Sequence, residues 1–256
     1  LSLTACGGKS SDSSAGSSSA ESTTVKLGVV GSIYEDLWKP AQESLKAEGI
    51  DLEIVQFSDY ATPNNALNSG DIDLNAFQHQ IYLDNEVEQQ GYKIQSIGYT
   101  FIIPLNIYSH KVKAISDIKD GDVVAIPDDV TNGGRAIKVL AAAGLITLKE
   151  DAGFNPTLED IKTYNTKITI KELKANTIPS VLDDVTAAVV NGNYALDFGL
   201  KTDEAIYKDS VLDEEKYWNL IAARTEDLQD KDKVAVYQKV IKAFQSDATE
   251  KVFNDT

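Results

Sequence analysis

From Thr24 onward, apolar stretches of strand length alternate with stretches whose apolar residues recur at helical spacing, and this alternation begins a second time in mid-chain. A strand–helix–strand pattern that restarts predicts two α/β lobes rather than one long sheet. The strands are predicted over 25–30, 51–57, 71–75, 122–126, 167–170, 187–190 and 217–223. The helices are predicted around Leu37, Ala41 and Leu45, over 63–68, 81–90 and 132–143, and around Val234, Tyr237, Ile241 and Phe244.

The connections between the two lobes are also predicted from the sequence. An extended segment over 93–109 carries Pro104 and is expected to cross from the first lobe to the second, and the return is expected between Gly199 and Tyr217. The predicted organisation is therefore lobe 1 over 25–106 plus 217–256 and lobe 2 over 107–216.

Charge and cysteine content exclude several classes of function. The 256 residues carry a formal net charge of −16. Such a chain repels phosphate backbones and anionic bilayers, which excludes a nucleic-acid binder and a membrane binder that relies on surface charge. A single cysteine excludes an internal disulfide and a cysteine-based zinc site. No apolar run approaches the roughly 18 residues of a membrane span.

The first 24 residues resemble the end of a secretory signal followed by a tether. Leu3-Thr4-Ala5-Cys6 resembles a bacterial lipobox, in which the signal is cut before a cysteine that receives a diacylglycerol. A Ser-rich stretch follows, and chains of this composition behave as flexible coil. We therefore expect Cys6 to be lipidated and to hold the protein at the extracytoplasmic face of a cell membrane, on a Gram-positive type of surface.

The residues after the predicted strands indicate a ligand cleft, because open α/β sheets bind ligands at the carboxyl ends of their strands. Aromatic residues such as Tyr60 and Tyr82 gather there in the first lobe, whereas amides and an arginine gather in the second. Such a cleft has one apolar wall and one polar wall.

Arg135 is the most specific of these residues. The chain has 24 Lys and Arg residues, and only Arg135 and Arg224 are arginines, so arginine does not serve as bulk surface charge. A guanidinium binds a carboxylate through two parallel hydrogen bonds, and Arg135 follows two glycines where a helix is predicted to open. The alternative is a surface arginine paired with Asp128 or Asp129. Arg224 lies beside Glu226 and Asp227, which predicts an ordinary ion pair.

Catalytic and metal chemistry have weaker support. His79 and His110 are the only histidines, and the chain contains no G-x-S-x-G, H-E-x-x-H or G-x-G-x-x-G motif. The spacing of Asp71, Asp73 and His79 matches no known metal signature, so these carboxylates are expected to cap and to be solvated. We therefore predict no catalytic residue, no metal site and no cofactor.

Several segments together resemble the NlpA/MetQ family of methionine-binding lipoproteins over essentially all of 25–256. The resemblance is carried by Phe57-Ser58-Asp59-Tyr60, Gly70-Asp71-Ile72-Asp73, Asn75-Ala76-Phe77-Gln78-His79, Tyr82-Leu83, Thr131-Asn132, Arg135, Asn191 and Asn219-Leu220-Ile221. It implies a two-lobed type II periplasmic-binding fold in which each lobe is a mixed sheet flanked by helices. It also implies a monomer that delivers methionine, with L-methionine expected, to the permease and ATPase of an ABC importer.

The resemblance implies a role for each matching residue. The aromatic residues and histidine of the first lobe surround the thioether, the arginine takes the carboxylate, and the asparagines take the ammonium and carboxylate groups. The corresponding residues here are Tyr60, Phe77, His79, Tyr82, Asn132, Arg135, Asn191 and Asn219. The chain departs from the family pattern at Asp128 and at Trp218, and Trp218 is expected to narrow the cleft.

Two other functions remain open on the sequence. One is a structural or adhesive surface lipoprotein that has lost its ligand, and the other is a binder of D-methionine, methionine sulfoxide or a methionine-containing dipeptide. The arginine and asparagines at the strand ends favour a solute-binding protein over the structural alternative.

Overall fold

A computed structural model describes residues 21–210, 214–246 and 249–251 and contains two mixed sheets flanked by helices. The strands are β1 (Thr23–Val30), β2 (Ile50–Phe57), β3 (Leu74–His79), β4 (Ile94–Ile102), β5 (Leu105–Tyr108), β6 (Val123–Pro127), β7 (Ile146–Leu148), β8 (Ile161–Tyr164), β9 (Thr169–Leu173), β10 (Ala187–Asn191) and β11 (Trp218–Arg224). The α-helices are α1 (Ile33–Ala47), α2 (Thr62–Ser69), α3 (Gln80–Gln90), α4 (Val130–Ala142), α5 (Gly192–Phe198) and α6 (Lys231–Phe244). This architecture confirms the predicted fold class.

The first sheet has the strand order β2-β1-β3-β11-β4. Strand β1 runs parallel to β2 and β3, and β11 runs antiparallel to β3 and β4. Helices α1 and α6 pack on one face of this sheet. Helix α1 does so through an apolar side that includes Leu37, Ala41 and Leu45. The rings of Trp38 and Phe244 join these two helices with centroids 4.3 Å apart. We call this sheet with its helices the first lobe.

The second sheet, with the order β5-β10-β6-β9, forms the second lobe with its own helices. All residues of its inner strand β10 are buried. Val189 packs into the core that includes α4, whereas Ala188 and Val190 pack into another core on the opposite face. Coverage of both faces explains the unbroken apolar run of this strand.

The chain passes from the first sheet to the second at Ile103 and Pro104, which separate β4 from β5. It returns after α5, and Tyr217 immediately precedes β11. Strand β5 belongs to the second sheet, so the predicted lobe boundary after residue 106 falls inside this strand. The returning segment lies beside strand β5, since Ile107 and Tyr207 form an isolated bridge.

Strand β3 is displaced from its predicted position at 71–75. Gly70 ends α2 in the left-handed conformation with φ of 91°, and Asp73 turns back to accept a hydrogen bond from the Lys26 N–H (2.8 Å). The strand then begins at Leu74 and includes buried amides such as Gln78. The buried amides of Asn64, Asn75 and Gln78 form hydrogen bonds with one another, so they can be buried without loss of hydrogen bonding. The polar residues of this segment therefore did not indicate a fully buried strand.

The prediction of a strand over 167–170 was also displaced, since β9 covers Thr169–Leu173. Lys167 instead lies before the strand, where its N–H donates to Asp120 Oδ1 (2.7 Å) and its carbonyl oxygen accepts from the Gly121 N–H. The β7–β8 pair and helix α5 were not predicted.

Candidate functional site

A cavity between the two lobes brings together the residues that the family resemblance selected. The first lobe contributes side chains from the loop after β2, from β3, from the first turn of α3 and from β11, and the second lobe contributes them from α4 and the end of β10. The predicted residues that line this cavity are Tyr60, Phe77, His79, Tyr82, Asn132, Arg135, Asn191 and Asn219. Tyr34, Gln78, Asn193 and the Ile103–Leu105 segment complete the lining.

The first lobe presents an aromatic wall to the cavity, which we define as Tyr60, Phe77 and Tyr82. The centroid of the Phe77 ring lies 6.0 Å from that of Tyr60 and 5.9 Å from that of Tyr82. The Tyr82 hydroxyl donates to the Tyr60 carbonyl oxygen (2.7 Å), which fixes the two tyrosines relative to each other. Burial raises the pKa of both tyrosines well above the usual value, so this wall is uncharged.

His79 links the aromatic wall to the polar wall. It is the N-cap of α3, and its Nδ1 accepts a hydrogen bond from the Tyr82 N–H (3.1 Å). The ring proton therefore lies on Nε2, which donates to Asn132 Oδ1 (3.3 Å). Burial and the nearby Arg135 charge lower the pKa of His79 to about 3, so the imidazole is neutral at physiological pH.

The asparagines of the second lobe leave one acceptor unsatisfied. Asn132 Oδ1 accepts from His79 and also from Asn191 Nδ2 (3.3 Å). The other amide atom, Asn191 Oδ1, is buried at the cavity without a hydrogen-bond partner among the described residues. Because an unpaired buried acceptor costs free energy, this oxygen is suited to a ligand that donates a hydrogen bond.

Helix α4 carries the arginine into the cavity. Its N-cap is Asp129, whose Oδ2 accepts from the Asn132 N–H (2.9 Å). A Cβ on Gly133 would approach the Pro127 carbonyl oxygen to 2.8 Å, and one on Gly134 would approach the Asn155 backbone to 3.0 Å. The two glycines are therefore required for the close packing of the first turn of α4.

Arg135 is buried and uses one edge of its guanidinium within the protein. Its Nη2 donates to Asp209 Oδ2 (2.8 Å) and to the Ile103 carbonyl oxygen (3.0 Å), and its Cζ lies 4.6 Å from the centre of the Tyr217 ring. Within the described part of the chain, its Nε and Nη1 make no hydrogen bond. The alternative of a surface arginine paired with Asp128 or Asp129 is wrong, since Asp129 caps the helix instead.

Arg224 forms the predicted ion pair with Asp227, but the pair is buried rather than an ordinary surface pair. Its Nη1 donates to the carbonyl oxygens of Leu67 (2.8 Å) and Ile72 (2.6 Å). Its Nη2 lies 2.9 Å from Asp227 Oδ2 and 3.5 Å from Asp73 Oδ1. Both terminal nitrogens of this guanidinium have partners inside the first lobe, and Arg224 does not line the cavity.

Other predictions about the site differ from the structure. Trp218 is not among the residues that line the cavity, because its ring packs edge-on against Tyr99 with centroids 5.8 Å apart. Asn193 was missed, although it follows β10 in the same motif as Asn191. Its Oδ1 accepts from the Tyr60 hydroxyl (2.5 Å) and its Nδ2 donates to the Val30 carbonyl oxygen (2.9 Å), so it joins the two lobes.

Asp71 and Asp73 serve the surrounding structure. Asp71 accepts from the Ser69 hydroxyl (2.9 Å), and Asp73 accepts from Lys26 and lies near Arg224. In the described ranges, no group of three or more His, Cys, Asp and Glu side chains is arranged to hold a metal ion. None of the helices described is long and apolar enough to cross a membrane. Cys6 lies outside the described residues.

Comparison with known proteins gives consistent results over nearly the whole chain. The family model for NlpA lipoprotein matches residues 25–256. The D-methionine-binding lipoprotein MetQ of Salmonella typhimurium is 42% identical over 240 residues, which cover 90% of this chain and 86% of that protein.

Solved structures agree with the sequence comparison. A nutrient-binding protein from Burkholderia cenocepacia, solved bound to methionine, is 41% identical with a TM-score of 0.81 and covers 90% of this chain and 95% of its own. The substrate-binding protein of a methionine transporter from Streptococcus pneumoniae is 33% identical with a TM-score of 0.85 and covers 91% and 92%.

Proposed function

Since the chain belongs to the NlpA lipoprotein family, we propose that it captures methionine between its lobes and delivers it to an ABC importer. The proposal follows from what relatives of known ligand bind and from the chemistry of the cavity. Those relatives are solute-binding proteins rather than enzymes.

The observation that carries the proposal is a pair of unsatisfied groups in one cavity. Among the described residues, the Nε and Nη1 groups of the cavity-lining Arg135 make no hydrogen bond, and Asn191 Oδ1 is a buried acceptor without a donor. A bound α-amino acid needs both of its charged groups paired when it leaves water. Its carboxylate is suited to Arg135, and its ammonium is suited to Asn191.

The aromatic wall favours a thioether side chain. A methionine sulfur gains roughly 0.3–1.5 kcal/mol from each contact with an aromatic ring. Neutral tyrosines and a neutral imidazole also avoid any charge beside an apolar side chain. The roles that the resemblance assigned to Tyr60, Phe77, His79 and Tyr82 are therefore retained as part of the proposal.

We extend the proposal to the anchor and the partner. A diacylglycerol on Cys6 would hold the protein at the extracytoplasmic membrane face, and the Ser-rich tether favours a Gram-positive type of surface. Stable anchoring needs more than one acyl chain, which a diacylglycerol supplies. The permease and ATPase of a methionine importer are the proposed acceptor of the ligand.

The test is to identify and then titrate the ligand. Native mass spectrometry of protein purified without denaturation is expected to show a bound mass equal to that of methionine. After the ligand has been stripped by partial unfolding and refolding, calorimetry is expected to show binding of L-methionine or D-methionine in preference to leucine and methionine sulfoxide. Absence of binding by either enantiomer in refolded protein would contradict the proposal and favour the structural lipoprotein.

A further inference from the structure

Arg135 is the only charged side chain among the described residues that line the cavity, since His79 is neutral. Its charge is nevertheless compensated from behind. Asp209, on the segment that returns toward the first lobe, lies 2.8 Å from Nη2, and the Arg135 and Asp209 side chains are only 6% and 4% exposed. The Arg135–Asp209 pair therefore adds no net charge to the cavity wall before any ligand enters.

Asp209 is itself held in place by the second sheet. Its Oδ2 accepts from the Leu105 N–H (3.2 Å) as well as from Arg135, and its N–H donates to Asn106 Oδ1 (2.9 Å). These contacts fix the carboxylate on the edge of the guanidinium that carries Nη2. The Nε and Nη1 groups are left for a ligand.

We propose that Asp209 is a specificity-determining residue that makes this cavity select net-neutral amino acids over carboxylates that lack an ammonium group. The inference rests on the proposed function. A zwitterion adds no net charge to the neutral Arg135–Asp209 pair, whereas a simple carboxylate leaves a buried negative charge uncompensated. Asp209 also attracts the ammonium group of the zwitterion, an attraction that the simple carboxylate cannot have.

The probe that isolates this effect is 4-(methylsulfanyl)butanoate, which is methionine without its amino group. The measured quantity is the ratio of the dissociation constant of this probe to that of methionine. In Asp209→Asn the negative charge is removed while the shape is kept, so the ratio is expected to fall roughly tenfold or more. This change corresponds to the loss of the attraction between the Asp209 charge and the ammonium group of methionine, for a separation of roughly 10 Å and an effective dielectric constant of about 20.

A matched control is available in the other buried pair. Asp227→Asn removes the same charge from beside Arg224, away from the cavity, and is expected to lower thermal stability without changing the ratio. Asp209→Glu retains the charge and is expected to keep the ratio near that of the parent. If Asp209→Asn does not fold, Asp209→Ser provides the same removal of charge in a smaller side chain.

The outcomes separate the inference from the function on which it rests. If the parent protein binds neither enantiomer of methionine, both the proposed function and this inference are wrong. A parent that binds methionine, together with an Asp209→Asn or Asp209→Ser variant that weakens both ligands equally, shows that Asp209 only supports the fold and overturns this inference alone. A ratio that falls in the Asp209 variants and not in Asp227→Asn supports it.

Discussion

The guanidinium of Arg135 and the carboxylate of Asp209 form a buried ion pair whose Nη2 and Oδ2 atoms are 2.8 Å apart. The two residues are far apart in the sequence, on α4 and on the segment that returns to β11. Arg135 lines the cavity and uses only Nη2 within the described residues, whereas both terminal nitrogens of the buried Arg224 are engaged by carbonyl oxygens and carboxylates. This difference is the reason why we propose Arg135, and not Arg224, as the arginine that binds the ligand.

Arg135→Lys is expected to impair methionine binding nearly as much as Arg135→Ala. Lysine keeps the charge but loses the planar fork that binds a carboxylate through two parallel hydrogen bonds. A partly unpaired buried carboxylate costs about 2–5 kcal/mol, which corresponds to roughly 30-fold to several thousandfold in affinity. Calorimetric titration of both variants measures the loss.

Arg224→Lys is the control for this substitution, with a different expected effect. Because Arg224 bonds two carbonyl oxygens and Asp227 inside the first lobe, its replacement is expected to lower the melting temperature. The affinity for methionine of the folded fraction is expected to remain near that of the parent. If Arg135→Lys binds like the parent while Arg224→Lys loses binding, the carboxylate has been assigned to the wrong arginine.

The neutral His79 predicts a pH dependence of stability. Its pKa is about 3 in the folded protein and about 6.5 when unfolded, so the unfolded state binds the extra proton as the pH falls below 6.5. The contribution of His79 to stability is therefore present above pH 6.5 and is lost as the pH falls toward 3. Between pH 7 and pH 5 this loss amounts to about 2 kcal/mol.

Urea unfolding of ligand-free parent and His79→Gln at both pH values tests this dependence. The parent is expected to lose about 2 kcal/mol more than the variant, by the same linkage relation. His110 is present in both proteins, so the comparison isolates His79. Equal losses in the two proteins would mean that folding does not lower the pKa of His79.

Asp197→Ala is expected to favour separation of the lobes. Asp197, on α5 of the second lobe, bonds Ser32, which precedes α1 of the first lobe. Its Oδ1 accepts from the N–H (2.8 Å) and from the hydroxyl (2.5 Å) of Ser32. Hydrogen bonds of this kind contribute about 0.5–1.5 kcal/mol each, so the loss of both is expected to weaken methionine binding roughly 5-fold to 150-fold. Small-angle scattering is expected to show that methionine reduces the radius of gyration of the parent. In Asp197→Ala, the same reduction is expected to need a higher methionine concentration.

Glu88→Ala removes an equal charge from an exposed position on α3 and is expected to behave as the parent. If methionine does not change the radius of gyration of parent protein that was fully stripped of ligand, the lobes do not close on methionine. Parent-like affinity in Asp197→Ala would show that the Ser32–Asp197 contact does not stabilise the closed form.

Cys6→Ser is expected to release the protein into the medium or to leave it as an uncleaved precursor, because serine cannot form the thioether to diacylglycerol. Methionine binding is expected to be unchanged, since the cavity is built from residues after 25. Fractionation of the cell envelope measures the distribution. A mutant protein that stays with the membrane like its parent would exclude the lipid anchor.

The local sequence pattern was sufficient to predict most of the helices and strands. Leu37, Ala41 and Leu45 follow the period of a helix that packs on a sheet, and the apolar run of β10 indicates a strand covered on both faces. The position of β3 was missed because its buried amides, Asn75 and Gln78, satisfy one another and look like surface residues in the sequence.

The sequence by itself determined the alternation of elements, the scarcity of arginine and the motifs that indicated the cavity residues. Only the tertiary structure decided which acceptor each arginine meets, since Asp209 has no periodic or motif relation to Arg135. The tertiary structure also decided that Asn191 donates a hydrogen bond from Nδ2 to Asn132, whereas its Oδ1 has no partner among the described residues. Period and propensity report on neighbours within one element, whereas charge compensation and hydrogen-bond satisfaction depend on groups that only folding brings together.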